Sequence, residues 1–172
     1  VSALHFEVVE HWEREPLKVL GQALTVADQA VKRIKGGGFL RRPGTTLTAL
    51  WIRNGTAFLG HVGDSRLYAY EDGSIRQVTT DHQNVFGSLT LYVGGLDPRL
   101  KAQPQIEEFP FSPGTIFLLC SDGVVLEEAK LAELCELVPL EDLAPQIVRE
   151  SMEHPRSGDN CTCVAIEVNG GR

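Results

Sequence analysis

Three aspartates stand at similar corners of the sequence. Asp64 lies in "VGDSR", Asp122 in "LLCSDGV" and Asp159 in "SGDNCT". Asp64 and Asp122 each follow an apolar run and Asp159 precedes one, so we predict that each carboxylate lies at the end of a β-strand. Converging carboxylates repel one another unless cations lie between them. Such oxygen ligands suit Mg²⁺ or Mn²⁺, and two of these ions can direct a water at phosphorus.

Each corner also has a purely structural interpretation, because Asp beside Gly or Asn commonly forms an Asx turn. We assign Asp72, in the turn "EDGS", to this second class. Asp81 and His82, in "TTDHQ", fit the start of a loop capped by Asp. The remaining histidines lack the spacing of a metal site, and we expect structural or surface roles for them: His5, His11, His61 and His154. Spacing alone leaves the metal hypothesis and the turn hypothesis open.

A helix and two hairpins are predicted in the first half of the chain. Residues 16–35 combine Pro in the first turn, basic residues near the end and an apolar stripe of Leu17, Leu20, Leu24, Ala27, Val31 and Ile34. Asn54-Gly55 and Asp72-Gly73 each separate two β-type runs, which is the pattern of a two-residue hairpin. Because such short connections cannot join parallel strands, we predict an antiparallel meander.

Three strands and two helices are predicted in the second half of the chain. We predict a strand over residues 105–109, a buried strand in "TIFLLCSDG" and a closing strand in "CTCVAIEV". Between the last two lie a helix in "LEEAKLAELCELV" and a second helix over residues 141–153. The first of these helices offers four leucines to a core: Leu126, Leu131, Leu134 and Leu137. This order favours one α+β domain with helices packed on antiparallel sheet.

Composition and charge exclude several classes of function. The 172 residues are 42% hydrophobic and 23% charged, which fits one compact domain. The formal net charge of −7 and the lack of a basic cluster argue against nucleic-acid binding. No apolar stretch approaches the about 20 residues of a membrane span, and no secretion signal is recognisable, so we expect a cytoplasmic protein. The cysteines, at positions 120, 135, 161 and 163, are expected to be reduced thiols.

Four motifs taken together resemble a known family. "GTTLTALWIRNGTAFLGHVGDSRLYAYEDGSIRQVTTDH" contains a G-[ST]-T strand, a hairpin, G-D-S-R, a second hairpin and T-x-D-H. "PGTIFLLCSDGV" contains an apolar strand followed by S-D-G, and "GDNCTCVAIEV" contains D-N before a closing strand. In this order and spacing, over residues 15–168, the chain resembles the PP2C (PPM) family of metal-dependent protein phosphatases.

The resemblance implies a sandwich of two antiparallel β-sheets flanked by helices, with metals at one end. It implies that Asp122 and Asp159 bind a pair of Mg²⁺ or Mn²⁺ ions and that Asp64 serves a third, weaker ion. The implied reaction is hydrolysis of phosphoserine or phosphothreonine in a phosphoprotein. The nucleophile would be a metal-bound water, without a covalent phosphoenzyme, and no side chain is assigned as a catalytic residue. The oligomeric state is left open.

The sequence also departs from the family pattern. The family's D-G-x-G-G motif, an early acidic residue and a phosphate-binding Arg have no counterpart here, and "VSALHFEVVEHW" stands where the chain would follow D-G-x-G-G. The stretch "QNVFGSLTLYVGG" is too short for the usual flap. We therefore expect residues 1–172 to be a single PP2C-like domain that is incomplete at its N-terminus. The alternative is a catalytically degenerate PP2C-like domain that binds a partner or regulates one.

Overall fold

The computed structural model describes residues 15–34, 43–97, 99 and 102–169. Within these residues lie three helices and seven strands: α1 (Pro16–Arg33), β1 (Leu47–Arg53), β2 (Thr56–Val62), β3 (Arg66–Glu71), β4 (Ser74–Gln77), β5 (Gln105–Pro110), β6 (Thr115–Cys120), α2 (Glu128–Leu137), α3 (Leu140–Glu153) and β7 (Cys163–Val168). They form two compact units: the first contains α1, β1, β2 and β5, and the second contains β3, β4, β6, α2, α3 and β7.

The first unit contains a three-stranded antiparallel sheet in the order β1-β2-β5. Asn54 and Gly55 form the predicted hairpin turn between β1 and β2, and both adopt the positive φ that such turns require (51° and 74°). Helix α1 packs on this sheet through a face that includes Val19, Leu20 and Leu24. Burial of these apolar side chains stabilises the helix on the sheet.

The second unit contains a four-stranded antiparallel sheet in the order β4-β3-β6-β7. Its core joins β6 to the two helices, with Leu118, Leu131, Leu143 and Ile147 all fully buried. Helix α3 begins with acidic residues in its first turn, where they interact favourably with the helix dipole. The molecule thus has the predicted α+β class, with two antiparallel sheets flanked by helices.

Three local predictions were wrong. The two hairpins do not form one meander, because β2 and β3 lie in different sheets and the link at residues 63–65 carries the chain from one sheet to the other. Ile34, which was assigned to the apolar stripe of the first helix, is 58% exposed, and Leu137, which was offered to a core, is 70% exposed. Ile34 follows the last residue of α1 and Leu137 is the last residue of α2, so both lie at helix ends. No described helix is long and apolar enough to cross a membrane.

Candidate active site

The pairing of β6 with β7 brings two of the predicted aspartates onto neighbouring stretches of backbone. Cys120, the last residue of β6, lies opposite Cys163, the first residue of β7. The pairing extends one step further, because the Ser121 amide donates to the Thr162 carbonyl at 3.0 Å. Asp122 therefore stands where the chain leaves β6, in residues 121–123. Asp159 lies in residues 159–162, which lead into β7.

Ser121 braces this corner with its side chain as well. Its hydroxyl accepts a hydrogen bond from the Thr162 amide at 3.0 Å and donates one to the Asn160 carbonyl at 3.3 Å. The Val124 amide donates to the Ser121 carbonyl at 3.0 Å, which closes a tight turn over the intervening residues. Three hydrogen bonds thus hold the turn that carries Asp122 against the backbone that follows Asp159.

This turn requires glycine at position 123, because the backbone of Asn160 and Cys161 approaches it closely. A Cβ at this position would touch the Asn160 carbonyl oxygen and would lie 2.8 Å from the Asn160 carbonyl carbon and 3.2 Å from the Cys161 Cα. These neighbours are backbone atoms, which cannot rotate away as a flexible side chain could. Only glycine lets residues 121–123 and 159–162 pack this closely.

The carboxylates of Asp122 and Asp159 are exposed at this corner. Asp122 makes no hydrogen bond or ion pair with any residue that the structure describes. One oxygen of Asp159 accepts a hydrogen bond from the Asn160 amide at 2.7 Å. Unneutralised carboxylate oxygens of this kind fit Mg²⁺ or Mn²⁺. The described residues contain no group of three or more His, Cys, Asp or Glu side chains placed to hold a metal.

A surface ion pair forms a second link near the corner. Arg156 contacts the carboxylate of Glu127 and also donates to the Val125 carbonyl at 3.5 Å. The hydrogen bond and charge of Arg156 lower the pKa of Glu127. Both side chains are well exposed, so the pair adds little to stability. Its effect is to connect the segment before Asp159 with the segment after Asp122.

Asp64 lies in the other compact unit and is half-buried. It follows Gly63, whose φ of 114° is accessible mainly to glycine. His82 holds this turn from both sides, because its Nδ1 accepts from the Gly63 amide at 3.1 Å and its own amide donates to the Gly63 carbonyl at 2.8 Å. The backbone of Gly63 is thereby fixed next to Asp64.

His82 has a structural role in this turn, whereas the sequence predicted only that it lies at the start of a loop capped by Asp. Since its Nδ1 accepts a hydrogen bond, its Nε2 carries the proton and donates to the Gln103 carbonyl at 3.1 Å. Its ring stacks on His61 with centroids 5.1 Å apart, and His61 Nδ1 contacts the Thr48 hydroxyl at 2.9 Å. Both nitrogens of His82 are thus occupied. The sequence motif T-x-D-H, which ends with His82, is the signal from which this structural role of His82 could have been predicted.

The comparisons with known proteins agree with this architecture. The family model for protein phosphatase 2C matches residues 5–157. A probable protein phosphatase 2C 9 of Arabidopsis thaliana is 26% identical over 189 residues, covering 91% of this chain and 66% of that protein. The chain thus spans about two thirds of the length of this relative.

Two solved structures share the fold. The serine/threonine phosphatase PstP/Ppp of Mycobacterium tuberculosis has a TM-score of 0.82 at 21% identity, covering 97% of this chain and 80% of that one. A structure of the PstP catalytic domain with two manganese ions has a TM-score of 0.80 at 23% identity, covering 97% and 79%. The chain belongs to the protein phosphatase 2C family.

Proposed function

We propose that the chain is part of a metal-dependent protein serine/threonine phosphatase that hydrolyses phosphoserine or phosphothreonine. The observation that carries this proposal is the placement of Asp122 and Asp159 on neighbouring backbones, with exposed carboxylates. Membership of the protein phosphatase 2C family supports the reaction, and the match over residues 5–157 includes parts of both compact units. We therefore treat both units as one phosphatase domain.

In this proposal Asp122 and Asp159 hold divalent cations, either Mg²⁺ or Mn²⁺. The related PstP catalytic domain was solved with two manganese ions, which supports this choice. Bound divalent ions supply an activated water and offset the charge of a phosphoryl group. Ser121 acts as a positioning residue, because its hydroxyl fixes the two backbones that carry the carboxylates. Asp64 is proposed as the ligand of a further, weaker ion.

Hydrolysis of p-nitrophenyl phosphate and of a phosphothreonine peptide by the full-length gene product, with Mn²⁺ present, tests this function. Asp122→Asn and Asp159→Asn keep the size of each side chain and remove its charge. Each should lower turnover by about 100-fold or more, since even residues that only support a metal ligand contribute 10–100-fold. Asp64→Ala should lower turnover less, and added Mn²⁺ should partly restore it.

Asp72→Asn is the matched control. Asp72 is an exposed turn residue with a φ of 50°, a conformation that Asn adopts readily. This variant should keep full activity. Full activity in Asp122→Asn or Asp159→Asn would refute the metal assignment. A folded full-length protein that hydrolyses neither substrate would contradict the enzymatic proposal and favour a partner-binding domain.

A further inference from the structure

Two cysteine thiols contact each other at the ends of the two strands that lead to the candidate active site. Cys120 ends β6, Cys163 begins β7, and they occupy opposite positions in the antiparallel ladder. Their sulfur atoms lie 3.7 Å apart, with the Cys120 thiol donating to the Cys163 sulfur. Both cysteines pack at the same core cluster, in which Cys120 is only 3% exposed while Cys163 is half-buried.

The strand register favours a covalent bond between these sulfurs. The Ser121 amide bonds to the Thr162 carbonyl, so these two residues form a hydrogen-bonded pair. Because the two kinds of pair alternate along an antiparallel ladder, Cys120 and Cys163 form a non-hydrogen-bonded pair. Such pairs have Cα atoms about 4.5 Å apart, within the roughly 4.4–6.8 Å range of disulfides.

We propose that Cys120 and Cys163 are a modification site at which a hydroperoxide such as hydrogen peroxide forms an intrachain disulfide. This disulfide would join β6 to β7 at the last residue pair before Ser121 and Thr162. The reaction involves only the two sulfurs and the oxidant. It therefore does not depend on the proposed phosphatase activity.

The oxidation proceeds in two balanced steps. The Cys163 sulfur, which is the more exposed, attacks one oxygen of hydrogen peroxide. An S–O bond forms, the O–O bond breaks, and the leaving hydroxide takes the proton of the Cys163 thiol to become water. The Cys120 sulfur then attacks the resulting sulfenic sulfur, so that an S–S bond forms and the S–O bond breaks. The hydroxyl leaves with the Cys120 proton as a second water, and the peroxide has accepted both electrons.

The hydrogen bond between the thiols supports this order of attack. It lowers the pKa of the Cys163 thiol because the Cys120 proton stabilises the Cys163 thiolate. A larger thiolate fraction raises the rate of attack on a peroxide at neutral pH.

Tryptic peptide mapping of the full-length gene product after treatment with hydrogen peroxide tests the proposal. Cleavage after Lys101, Lys130, Arg149 and Arg156 places Cys120 in residues 102–130, Cys135 in residues 131–149, and Cys161 with Cys163 in residues 157–172. We expect a reducible cross-link between peptides 102–130 and 157–172, with fragmentation assigning it to Cys163. Cys163→Ser and Cys120→Ser should each abolish this cross-link.

Cys161→Ser is the matched control and should retain the full yield of cross-link. A cross-link through Cys161 or Cys135 would overturn the proposal. So would irreversible oxidation of Cys163 without a disulfide, or a Cys163 that remains reduced and open to alkylation after treatment. Because the wild-type map already decides among these outcomes, the test does not depend on the stability of the variants.

Discussion

Gly123→Ala tests directly whether the candidate active site depends on the close approach of two backbones. The added Cβ would lie 2.8 Å from the Asn160 carbonyl carbon, about 0.7 Å short of the ~3.5 Å contact optimum. The added Cβ would also lie 3.2 Å from the Cys161 Cα, a second close contact with backbone. Overpacking of this kind typically costs about 1–3 kcal/mol. We expect a loss in this range from the free energy of unfolding.

The same substitution should impair catalysis if the proposed function holds. Separating the backbones by about 0.7 Å displaces the carboxylate of Asp159 relative to that of Asp122. A misplacement of about 1 Å can cost a factor of roughly 10² in rate. We therefore expect kcat/KM for p-nitrophenyl phosphate to fall by about 10- to 100-fold at saturating Mn²⁺.

Gly158→Ala provides the matched control for both measurements. Gly158 stands next to Asp159, and a Cβ built there has nothing within 4 Å. This variant should stay within about 0.5 kcal/mol of the wild type and keep its activity. Urea denaturation compares the two variants through their midpoints at unchanged slope. A Gly123→Ala protein as stable as the wild type, or an equal loss in Gly158→Ala, would refute the reasoning.

Two further predictions concern Asp28 and Gly63. Asp28 is buried, its Oδ2 lies 2.6 Å from the Lys32 Nζ, and its Oδ1 accepts two backbone N–H bonds. Burial raises the pKa of Asp28, but Lys32 and these two donors outweigh that effect and hold the pKa below its ordinary value. The lowered pKa of Asp28 stabilises the folded protein at pH values above ~3.9, the pKa of an unperturbed Asp. This stabilisation is lost as the pH falls through the pKa of Asp28 in the folded state. Asp28→Ala should cost about 1–3 kcal/mol near neutral pH and flatten this acid dependence in urea titrations; an unchanged dependence would contradict the assignment. Gly63→Ala should lower the melting temperature more than Gly73→Ala does. Both glycines have positive φ, but only at Gly63 would the new Cβ lie 2.6 Å from the Thr46 Cβ. Equal losses of melting temperature in the two variants would contradict this prediction.

Local signals in the sequence predicted local structure well. Asn54-Gly55 and Asp72-Gly73 form the two predicted turns, with all four residues at positive φ. The pairings of β2 with β5 and of β3 with β6 join segments that are far apart in the chain. No turn residue specifies such partners, because a strand pattern shows which faces are apolar and not which strand is adjacent. The expectation of a single meander failed for this reason.

In the candidate active site, too, local features could be predicted from the sequence and contacts between distant residues could not. Asp122 and Asp159 could be selected from the sequence because each stands next to an apolar run and the motifs resemble a family. The brace formed by Ser121 could not be foreseen, since it depends on the register of β6 against β7. The contact between Cys120 and Cys163 depends on that same register, across 43 positions in the sequence. Burial of a charged Asp28 in the apolar face of α1 was missed because its backbone partners, Gly94 and Leu96, lie 66 and 68 positions away in the sequence.

The binding isotherm of Mn²⁺ measures the central claim most directly, because it reads out the ligands without requiring turnover. Isothermal titration calorimetry would compare the full-length wild type with Asp122→Asn, Asp159→Asn and the turn control Asp72→Asn. We predict that each of the first two variants weakens Mn²⁺ binding by at least about tenfold, the lower limit for residues that merely support a ligand. Asp72→Asn should bind as the wild type does. Wild-type affinity in Asp122→Asn and Asp159→Asn would contradict the assignment of these two carboxylates as metal ligands.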